Sequence, residues 1–423
     1  MARGGGDTAA AAGVATDMHQ AVIDQALDVR IAELLAHRTE VNARFFDVEA
    51  DRIARLCHLL AERFARGGRL LAIGMSPQAR SDARHVAVEF VHPVIVGKRA
   101  LPAIGLGAEG GPLAAQLELS AAPRDIVIAF GDRDDGETVA AVAVGRERGC
   151  LTIAFAPVGA DWELEPPSPD PFVRQELVET LYHLLWELVH VFFEHRGLLE
   201  DRVAGPVHDA GGSSFLYPFL AEHETDLGGV LDDVRSSVLA KASEIAELRE
   251  RTMHENRDEL VAAAAALRRV FDADGTLHVF GNGGSATDAA DAVADFRFPP
   301  ADWPARRALD LTEDSGILTA LANDIGSDVL FARQLIAYAH EGDAALAIST
   351  SGGSRNIVAA LAEARRRGVV TIALVGYDGG RVAAETLADH VIITSSQNIP
   401  RIQEAQATVY HVLRELVERE ERR

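Results

Sequence analysis

The feature that most constrains this sequence is an approximate internal doubling. Two stretches with helical periodicity, residues 20–66 and 230–272, each run into a short apolar strand, a loop and a further helix. The two loop-to-helix segments match residue by residue, as SDARHVAVEF from Ser81 and TDAADAVADF from Thr287. A chain with such a repeat is expected to fold as two similar domains.

Two more pairs of matching segments follow in the same order. Residues 125–157 and 343–376 both read as strand, loop, helix and strand. Each half then closes with a helix that carries a glutamine and, eight residues later, a histidine: Gln175 and His183, then Gln403 and His411. Alternating apolar strands and amphipathic helices imply parallel sheets with helices on both faces, and ligands of such sheets bind at the carboxyl ends of the strands.

The repeat also sets the predicted domain organisation. We predict two tandem α/β domains, each a doubly wound parallel sheet of the flavodoxin-like three-layer α/β/α type, with a long N-terminal helix and a closing C-terminal helix. The segment VAGPVHDAGGSS is the best candidate for a linker. The predicted units are a flexible tail at 1–16, a first domain at 17–196, a linker at 197–227 and a second domain at 228–423.

Composition and charge exclude several classes of protein. The formal charge of −23 argues against a surface for nucleic acid or anionic membranes, because both need a basic stripe. The two cysteines cannot form a disulfide framework and lack metal-type spacing, and no stretch approaches 18 apolar residues. These features predict a cytoplasmic protein that is neither secreted nor embedded in a membrane.

Two loops of the second half, GNGGS from Gly281 and STSGGS from Ser349, combine glycine with hydroxyl side chains. Each follows an apolar strand and precedes a helix, so backbone N–H groups, hydroxyls and a helix dipole converge on one point. This arrangement favours a site for a phosphate ester, and the alternative is a pair of solvated turns. The predicted phosphate and substrate residues of these loops are Asn282, Gly283, Gly284, Ser285, Ser349, Thr350, Ser351 and Ser354.

The first half keeps a different set of polar residues. Its counterpart of the second loop is GDRDDG, residues 131–136, whose carboxylates would repel phosphate. His85 and Glu89 lie four residues apart on a predicted helix and so share a face, as a metal-binding pair or a base with its partner would. A histidine in such a position is also found as a satisfied core or surface residue.

The second half resembles the phosphoheptose isomerases of the sugar isomerase (SIS) superfamily over nearly its whole length. The segments that carry the resemblance are GNGGSATDAADAVADF, DLTEDSGILTALANDIGSDVLFARQL, ISTSGGSRN and PRIQEAQATVYHVLRELVE. The first half looks like a diverged copy that matches mainly at SDARHVAVEF and RQELVETLYHLLWE. The resemblance implies two SIS domains, sedoheptulose 7-phosphate as substrate, zinc as cofactor, and sites built between the subunits of a tetramer.

The family's pattern is divided between the two halves. Its metal-binding His, Glu, Gln and His correspond in the first half to His85, Glu89, Gln175 and His183. In the second half they correspond to Asp291, Asp295, Gln403 and His411. The half with intact phosphate loops has therefore lost the His and Glu that the other half retains. We favour a solvated helix face for the two aspartates, with a divalent-ion site as the alternative.

These complementary losses lead to the hypothesis of a composite site. Two residues eight apart on a straight helix lie about 12 Å apart along its axis, so the Gln and His belong to different clusters or one ligand comes from a neighbouring domain. Phosphate would be held by the second domain, with metal and acid–base groups largely from the first. The resemblance implies Glu89 as base, His183 or His411 as acid, zinc as electrophile, and Asp314, Asn323 and Gln403 as contacts to the substrate.

The expected reaction interconverts sedoheptulose 7-phosphate and D-glycero-D-manno-heptose 7-phosphate through an enediolate. One alternative is a non-catalytic SIS protein that senses a sugar phosphate or binds another protein, and a second is an isomerase of another phosphosugar. By analogy with tetramers of single domains, a homodimer of the doubled chain would rebuild four domains.

Overall fold

The structure is a computed structural model that describes residues 7–94, 98–194, 198–199, 226–300 and 303–418. Part of the predicted tail (residues 1–6) and most of the predicted linker (residues 200–225) lie outside these ranges. The first helix begins at Asp7, within the segment predicted as a tail. The predicted domain boundaries remain predictions.

The first half forms five strands and five helices within its described residues. They are α1 (Asp7–Ala65), β1 (Leu70–Gly74), α2 (Pro77–Val91), β2 (Ala103–Leu106), α3 (Leu113–Ser120), β3 (Ile126–Phe130), α4 (Gly136–Glu147), β4 (Leu151–Ala154), β5 (Trp162–Glu163) and α5 (Pro171–Glu194).

The second half forms five strands and eight helices within its described residues. They are α6 (Leu227–Glu255), α7 (Arg257–Asp272), β6 (Leu277–Gly281), α8 (Gly284–Arg297), β7 (Ala308–Asp310), α9 (Ser315–Asp324), α10 (Leu330–Tyr338), β8 (Ala344–Ser349), α11 (Arg355–Arg366), β9 (Val370–Gly376), α12 (Gly380–Ala384), β10 (His390–Thr394) and α13 (Ile399–Glu418).

Each half contains one five-stranded sheet, and the two sheets have the same topology. The strand orders are β2-β1-β3-β4-β5 and β7-β6-β8-β9-β10, and every pairing is parallel. Alternate residues of β1 enter different cores: Leu70 faces one hydrophobic cluster and Leu71 the other. Both faces of each sheet are covered, so the predicted fold class of two α/β parallel-sheet domains is confirmed.

The long helices α1 and α6 each contribute side chains to the hydrophobic core of the other domain. Residues 41–64 of α1 pack in the core of the first domain, whereas Ile31 and Leu34 of the same helix pack in the core of the second. Conversely, Val230 and Val238 at the start of α6 pack in the core of the first domain. Each hydrophobic core is therefore completed by a helix from the other half of the sequence, which ties the domains together.

The predicted helix at residues 230–272 is interrupted at Asn256, between α6 and α7. Its amide donates to the carbonyl of Ile393 at 2.9 Å and accepts the N–H of the same residue at 2.9 Å. These two bonds satisfy the backbone of Ile393 in the edge strand β10. The helix is thus interrupted at the residue whose side chain bonds to the sheet.

Within the described residues, no helix combines the length and apolar character needed to cross a membrane.

Arg249 of α6 generates a first prediction, on stability. Its buried guanidinium donates to the Glu176 carbonyl at 3.2 Å, to Thr180 Oγ1 at 3.1 Å and to Asn42 Oδ1 at 3.4 Å, so it joins α6 to α5 and α1. Because Arg249→Met takes a positive charge away from the buried carboxylates of Glu176 and Glu404, we expect the free energy of unfolding in urea to fall by about 3 kcal/mol. The matched control is Arg366→Met, which removes an exposed arginine that pairs with Glu363. Equal unfolding midpoints for the two variants would contradict the role of Arg249.

Candidate functional site

The two closing helices, α5 and α13, exchange their histidine and glutamate side chains across the domain interface. His183 Nδ1 lies 2.9 Å from Glu404 Oε1, and His411 Nδ1 lies 2.9 Å from Glu176 Oε1. The threonines follow the same pattern: Thr408 donates to Glu176, and Thr180 to Glu404. This exchange gives the interface an approximate twofold arrangement, with one polar cluster on either side.

Arginines keep both glutamates ionised although they are fully buried. Burial alone would raise the pKa of Glu176, but Arg38, His411 and Arg249 outweigh it and hold that pKa well below its ordinary value. In the same way Arg401, His183 and Arg249 outweigh burial and lower the pKa of Glu404. An ionised Glu404 can only accept a hydrogen bond, so His183 donates from Nδ1 and its Nε2 faces away from that bond.

The first polar cluster, the His85 cluster, consists of His85, Glu89, Glu179, His183 and Gln403. The 85/89 pair lies four residues apart on α2 and the 179/183 pair four apart on α5, so each pair shares a helix face. The rings of His85 and His183 have centroids 5.2 Å apart, and His85 Nε2 lies 3.9 Å from Glu89 Oε1. Gln403 comes from the second domain, and its Nε2 lies 3.3 Å from His85 Nε2.

Several buried atoms of the His85 cluster have no hydrogen-bond partner within the described chain. They are His85 Nδ1, both carboxylate oxygens of Glu89, Glu179 Oε1, His183 Nε2 and Gln403 Oε1. Ligand atoms of His85, Glu179 and His183 lie within 4.8 Å of one another. Burial, and then the neighbouring His183, lowers the pKa of His85 well below its ordinary value, so this ring is neutral. Two imidazole nitrogens and a carboxylate fit the ligand set that zinc takes in proteins.

The His85 cluster lies against the first glycine loop of the second domain, GNGGS from Gly281. A Cβ atom built on Gly284, at the start of α8, would overlap Gln403 Nε2 and would lie 3.0 Å from His85 Nε2. Asp288 of the same helix also faces the ring, with Oδ1 3.5 Å from His85 Nδ1. The absence of a side chain at Gly284 thus lets groups from the first domain reach the loop of the second.

The second polar cluster, the Asp291 cluster, lies in the mirrored position and consists of Asp82, Gln175, Asp291, Asp295 and His411. Gln175 Nε2 donates to Asp291 Oδ2 at 2.6 Å, just as Gln403 reaches His85. The predicted solvated face is wrong, because α8 packs against α2 and leaves Asp291 only 2% and Asp295 only 4% exposed. Burial raises the pKa of Asp291 well above its ordinary value.

The structure groups Gln175 and His411 differently from the sequence prediction. Gln175, predicted as a ligand beside His85, instead bonds to Asp291. The glutamine beside His85 is Gln403, because the glutamine of each closing helix lies in the cluster that contains the α2 or α8 residues of the other domain. His411, predicted as an acid, has both ring nitrogens beside carboxylates, Nδ1 at Glu176 and Nε2 at 3.3 Å from Asp295. Its ring also stacks on Phe172 at 4.6 Å, so it belongs to the Asp291 cluster.

The helix N-termini next to the two clusters differ in how they are capped. In the first domain, Asp135 accepts the N–H groups of Glu137 and Thr138 and so caps α4, and Ser76 caps α2. In the second domain the N-cap of α8 is Gly283, at φ 59°, and the side chain of Ser354 makes no capping bond to α11. The N-caps of the second domain therefore leave backbone donors for an anion, where the first domain occupies them with the hydroxyl of Ser76 and the carboxylate of Asp135.

The remaining predicted substrate residues lie around these loops. Asn282 pairs its amide with that of Asn356, at 2.8 and 3.0 Å, and so ties the two loops together. Ser285 and Ser349 are buried, Thr350 is half-buried and Ser351 is exposed. Asp314 is exposed and caps α9 by accepting the N–H of Ile317 at 2.9 Å.

Sequence comparison of the two halves missed three residues that the structure places here. Glu179 lies four residues before His183, a spacing that signals a shared helix face, but its counterpart in the second half is an alanine. Asp288 belongs to the matched TDAAD segment, where no feature of the sequence marks it, although it faces His85. Asn356 follows the second loop, and no local sequence pattern indicates that it pairs with Asn282.

The paired His411 ring predicts a pH dependence of stability. Burial opposes its charge, but hydrogen bonds to Asp295 and Glu176 raise the pKa of His411 to about 9. Since this folded-state pKa is above that of an unfolded histidine, the stabilisation is complete below about pH 6.5 and is lost as the pH rises to about 9. Between those limits we expect His411 to account for a loss of about 3 kcal/mol, measured by urea unfolding. The control is His411→Gln, which should show a shallower loss, and parallel profiles would contradict the assignment.

Comparison with known proteins identifies relatives. A family model described as SIS domain matches residues 242–376. The chain is 41% identical over 189 residues to the phosphoheptose isomerase of Nitratidesulfovibrio vulgaris, a match that covers 44% of this chain and 89% of that protein. It is 44% identical over 164 residues to the phosphoheptose isomerase of Halorhodospira halophila, covering 38% of this chain and 82% of that protein.

One solved structure is similar in fold to nearly the whole chain. The C-terminal domain of glucosamine-fructose-6-phosphate aminotransferase from Francisella tularensis aligns with a TM-score of 0.58 at 10% identity, covering 92% of this chain and 94% of that one. At this identity the likeness concerns the fold alone. Together with the sequence relatives, it shows that the chain is a two-domain SIS protein that belongs to the phosphoheptose isomerase family.

Proposed function

We propose that this protein interconverts sedoheptulose 7-phosphate and D-glycero-D-manno-heptose 7-phosphate at one composite site, formed by the His85 cluster and the two loops of the second domain. The observation that carries the proposal is the contact at Gly284, where His85 of the first domain lies beside a phosphate-type loop of the second. Sequence relatives with this activity support the reaction class.

The proposed site divides its work between the domains. The N-termini of α8 and α11, whose N-cap residues Gly283 and Ser354 make no side-chain capping bond, would hold the phosphate together with the hydroxyls of Ser349, Ser351 and Ser354. A substrate held in this way would direct its sugar carbons towards the His85 cluster. Because that cluster is buried at the domain interface, water is excluded from the reacting end of the sugar.

A metal ion fits the His85 cluster, and His85, Glu179 and His183 would hold it. When bound, a divalent ion such as zinc supplies positive charge that stabilises the oxygen anion of an enediolate. Glu404, through its bond to His183 Nδ1, would fix the ring with Nε2 towards the ion.

Proton transfer between the carbons would fall to Glu89. Burial raises the pKa of Glu89, which makes its carboxylate a stronger base than an exposed one. Glu89 would take a proton from C1 of the ketose and return it to C2, while the C1 hydroxyl proton passes to O2. In an ion-free site His183 Nε2 would carry that second proton, so the metal requirement decides which role His183 has.

The alternative of a non-catalytic sugar-phosphate sensor rests on the loss of His and Glu from the second half. Each cluster, however, draws residues from both domains. The loss therefore affects the Asp291 cluster alone, and His85 and Glu89 remain beside the intact loops. This arrangement favours catalysis.

The decisive test is turnover of sedoheptulose 7-phosphate by purified protein, with added zinc and with a chelator, compared between Glu89→Gln and Asp295→Asn. Glu89 and Asp295 occupy matching positions in the two halves, so the pair separates the two clusters. We expect kcat to fall about 1,000-fold in Glu89→Gln because the carbon base is lost, and to stay unchanged in Asp295→Asn.

Three results would oppose the proposal. Full activity of Glu89→Gln would remove its base. A loss confined to Asp295→Asn would place the reaction in the other cluster. Stabilisation of the wild-type protein by the sugar phosphate without turnover would instead indicate a sensor.

A second test addresses the domain contact itself. In Gly284→Ala the added methyl group must displace Gln403 and crowd His85, so we expect kcat/KM to fall about 100-fold with the fold retained. Gly136→Ala is the matched control, because Gly136 opens α4 as Gly284 opens α8 and has open space around it. Similar kinetics for both variants would show that the contact at Gly284 has no role in turnover.

A further inference from the structure

The first domain has a cavity of about 300 Å³ at the carboxyl ends of β1, β3 and β4. It occupies the position in this domain that the phosphate loops occupy in the second. Aromatic side chains of Phe130, Phe155 and Phe172 line its walls, and Asp82 and Asp295 are among its polar residues. The volume lies at the lower end of the range typical of sites for small molecules.

One of the two carboxyl groups that line this cavity is buried without satisfying both of its oxygens. Asp82 is 6% exposed, and its Oδ1 has no hydrogen-bond partner within the described residues. The other, Asp295, is 4% exposed and pairs through Oδ2 with His411 Nε2 at 3.3 Å. A buried carboxylate oxygen without a partner is costly, so its retention indicates a ligand that satisfies it.

The cavity does not suit a phosphate ester. Asp135 already occupies the N–H groups at the start of α4. Arg174 is the one cationic side chain among the described residues of the lining, and it lies 3.6 Å from both Asp132 and Glu165, which balance its charge. An anion would therefore meet more negative charge than positive.

The cavity does not suit a metal ion either. A metal site needs at least three ligand atoms close together. Within the described part of the chain, three such atoms within 4.8 Å of one another occur at His85, Glu179 and His183, which belong to the other cluster. Asp82 and Asp295 do not form such a group with their neighbours. The cavity volume of about 300 Å³ instead has room for a small organic molecule.

We propose that this cavity binds a small hydroxylated organic ammonium compound that lacks phosphate, with its cationic group between Asp82 and Asp295 and its body against the phenylalanine rings. Cations are attracted both by carboxylates and by the faces of aromatic rings, and Gln78 and Gln175 offer amides to hydroxyl groups. This site goes beyond the proposed isomerase site and does not depend on it.

Isothermal titration calorimetry of the full chain tests the proposal, with glucosamine as the probe and glucose as its neutral counterpart. We expect glucosamine to bind and glucose to bind at least about tenfold more weakly, since one charge-assisted contact is worth that factor or more. The Asp82→Asn/Asp295→Asn double variant should lose at least about tenfold in glucosamine affinity. The two controls, His85→Ala in the other cluster and Asp134→Asn outside the lining, should bind as the wild type does.

Thermal unfolding of the unliganded proteins checks that the variants fold. Each substitution is isosteric. Asp82→Asn replaces a buried carboxyl group whose Oδ1 has no partner within the described residues, so the melting temperature should stay the same or rise. Asp295→Asn weakens the pairing with His411 and should lower the melting temperature while the protein still unfolds cooperatively. Where the double variant fails to fold, Asp82→Asn alone is used. Equal binding of glucose, unchanged affinity in the variants, displacement of glucosamine by sedoheptulose 7-phosphate, or absence of glucosamine binding would each overturn the proposal.

Discussion

The exchanged histidine–glutamate bonds between α5 and α13 are the interaction on which the rest of this structure depends. Four ionisable side chains lie at the centre of the molecule, where an unpaired charge would cost several kcal/mol. Each glutamate is satisfied only when the histidine of the other domain and its arginines are all in place. The pairing therefore fixes the relative position of the two domains and, with it, the contact of His85 with the loop at Gly284.

The exchange of the long helices supports the same arrangement. Because α1 and α6 each contribute to the core of the opposite domain, separating the domains would expose apolar surface from both cores. The polar centre is thus surrounded by apolar contacts that exclude water, and its charges interact more strongly than they would at the surface. Fold and candidate site share one interface.

Sequence predicted those parts of the fold that depend on local pattern. Strands such as β6 and β8, and the glycine loops after them, follow from apolar runs bounded by turn residues. The repeat predicted two similar domains, and the segregation of the predicted phosphate loops from His85 and Glu89 led to the hypothesis of a composite site. Each of these inferences uses residues close together in the sequence, or matched positions of the two halves.

The grouping of side chains across the interface could not be predicted in the same way. Which cluster receives Gln175 depends on how α5 crosses α13, and the burial of Asp291 depends on the packing of α2 against α8. Neither relation leaves a periodic trace in the sequence. Glu179 was missed because the comparison of halves finds only what both halves retain, and its counterpart is an alanine.

The assembly of both clusters within one polypeptide has a consequence for how they can change. In an assembly of identical subunits a substitution appears in every copy of a site. Here the residue that matches His85 is encoded separately, as Asp291, so one cluster can lose a function while the other retains it. In the doubled chain the two clusters can therefore accumulate substitutions independently, although the fold keeps them only a few side chains apart.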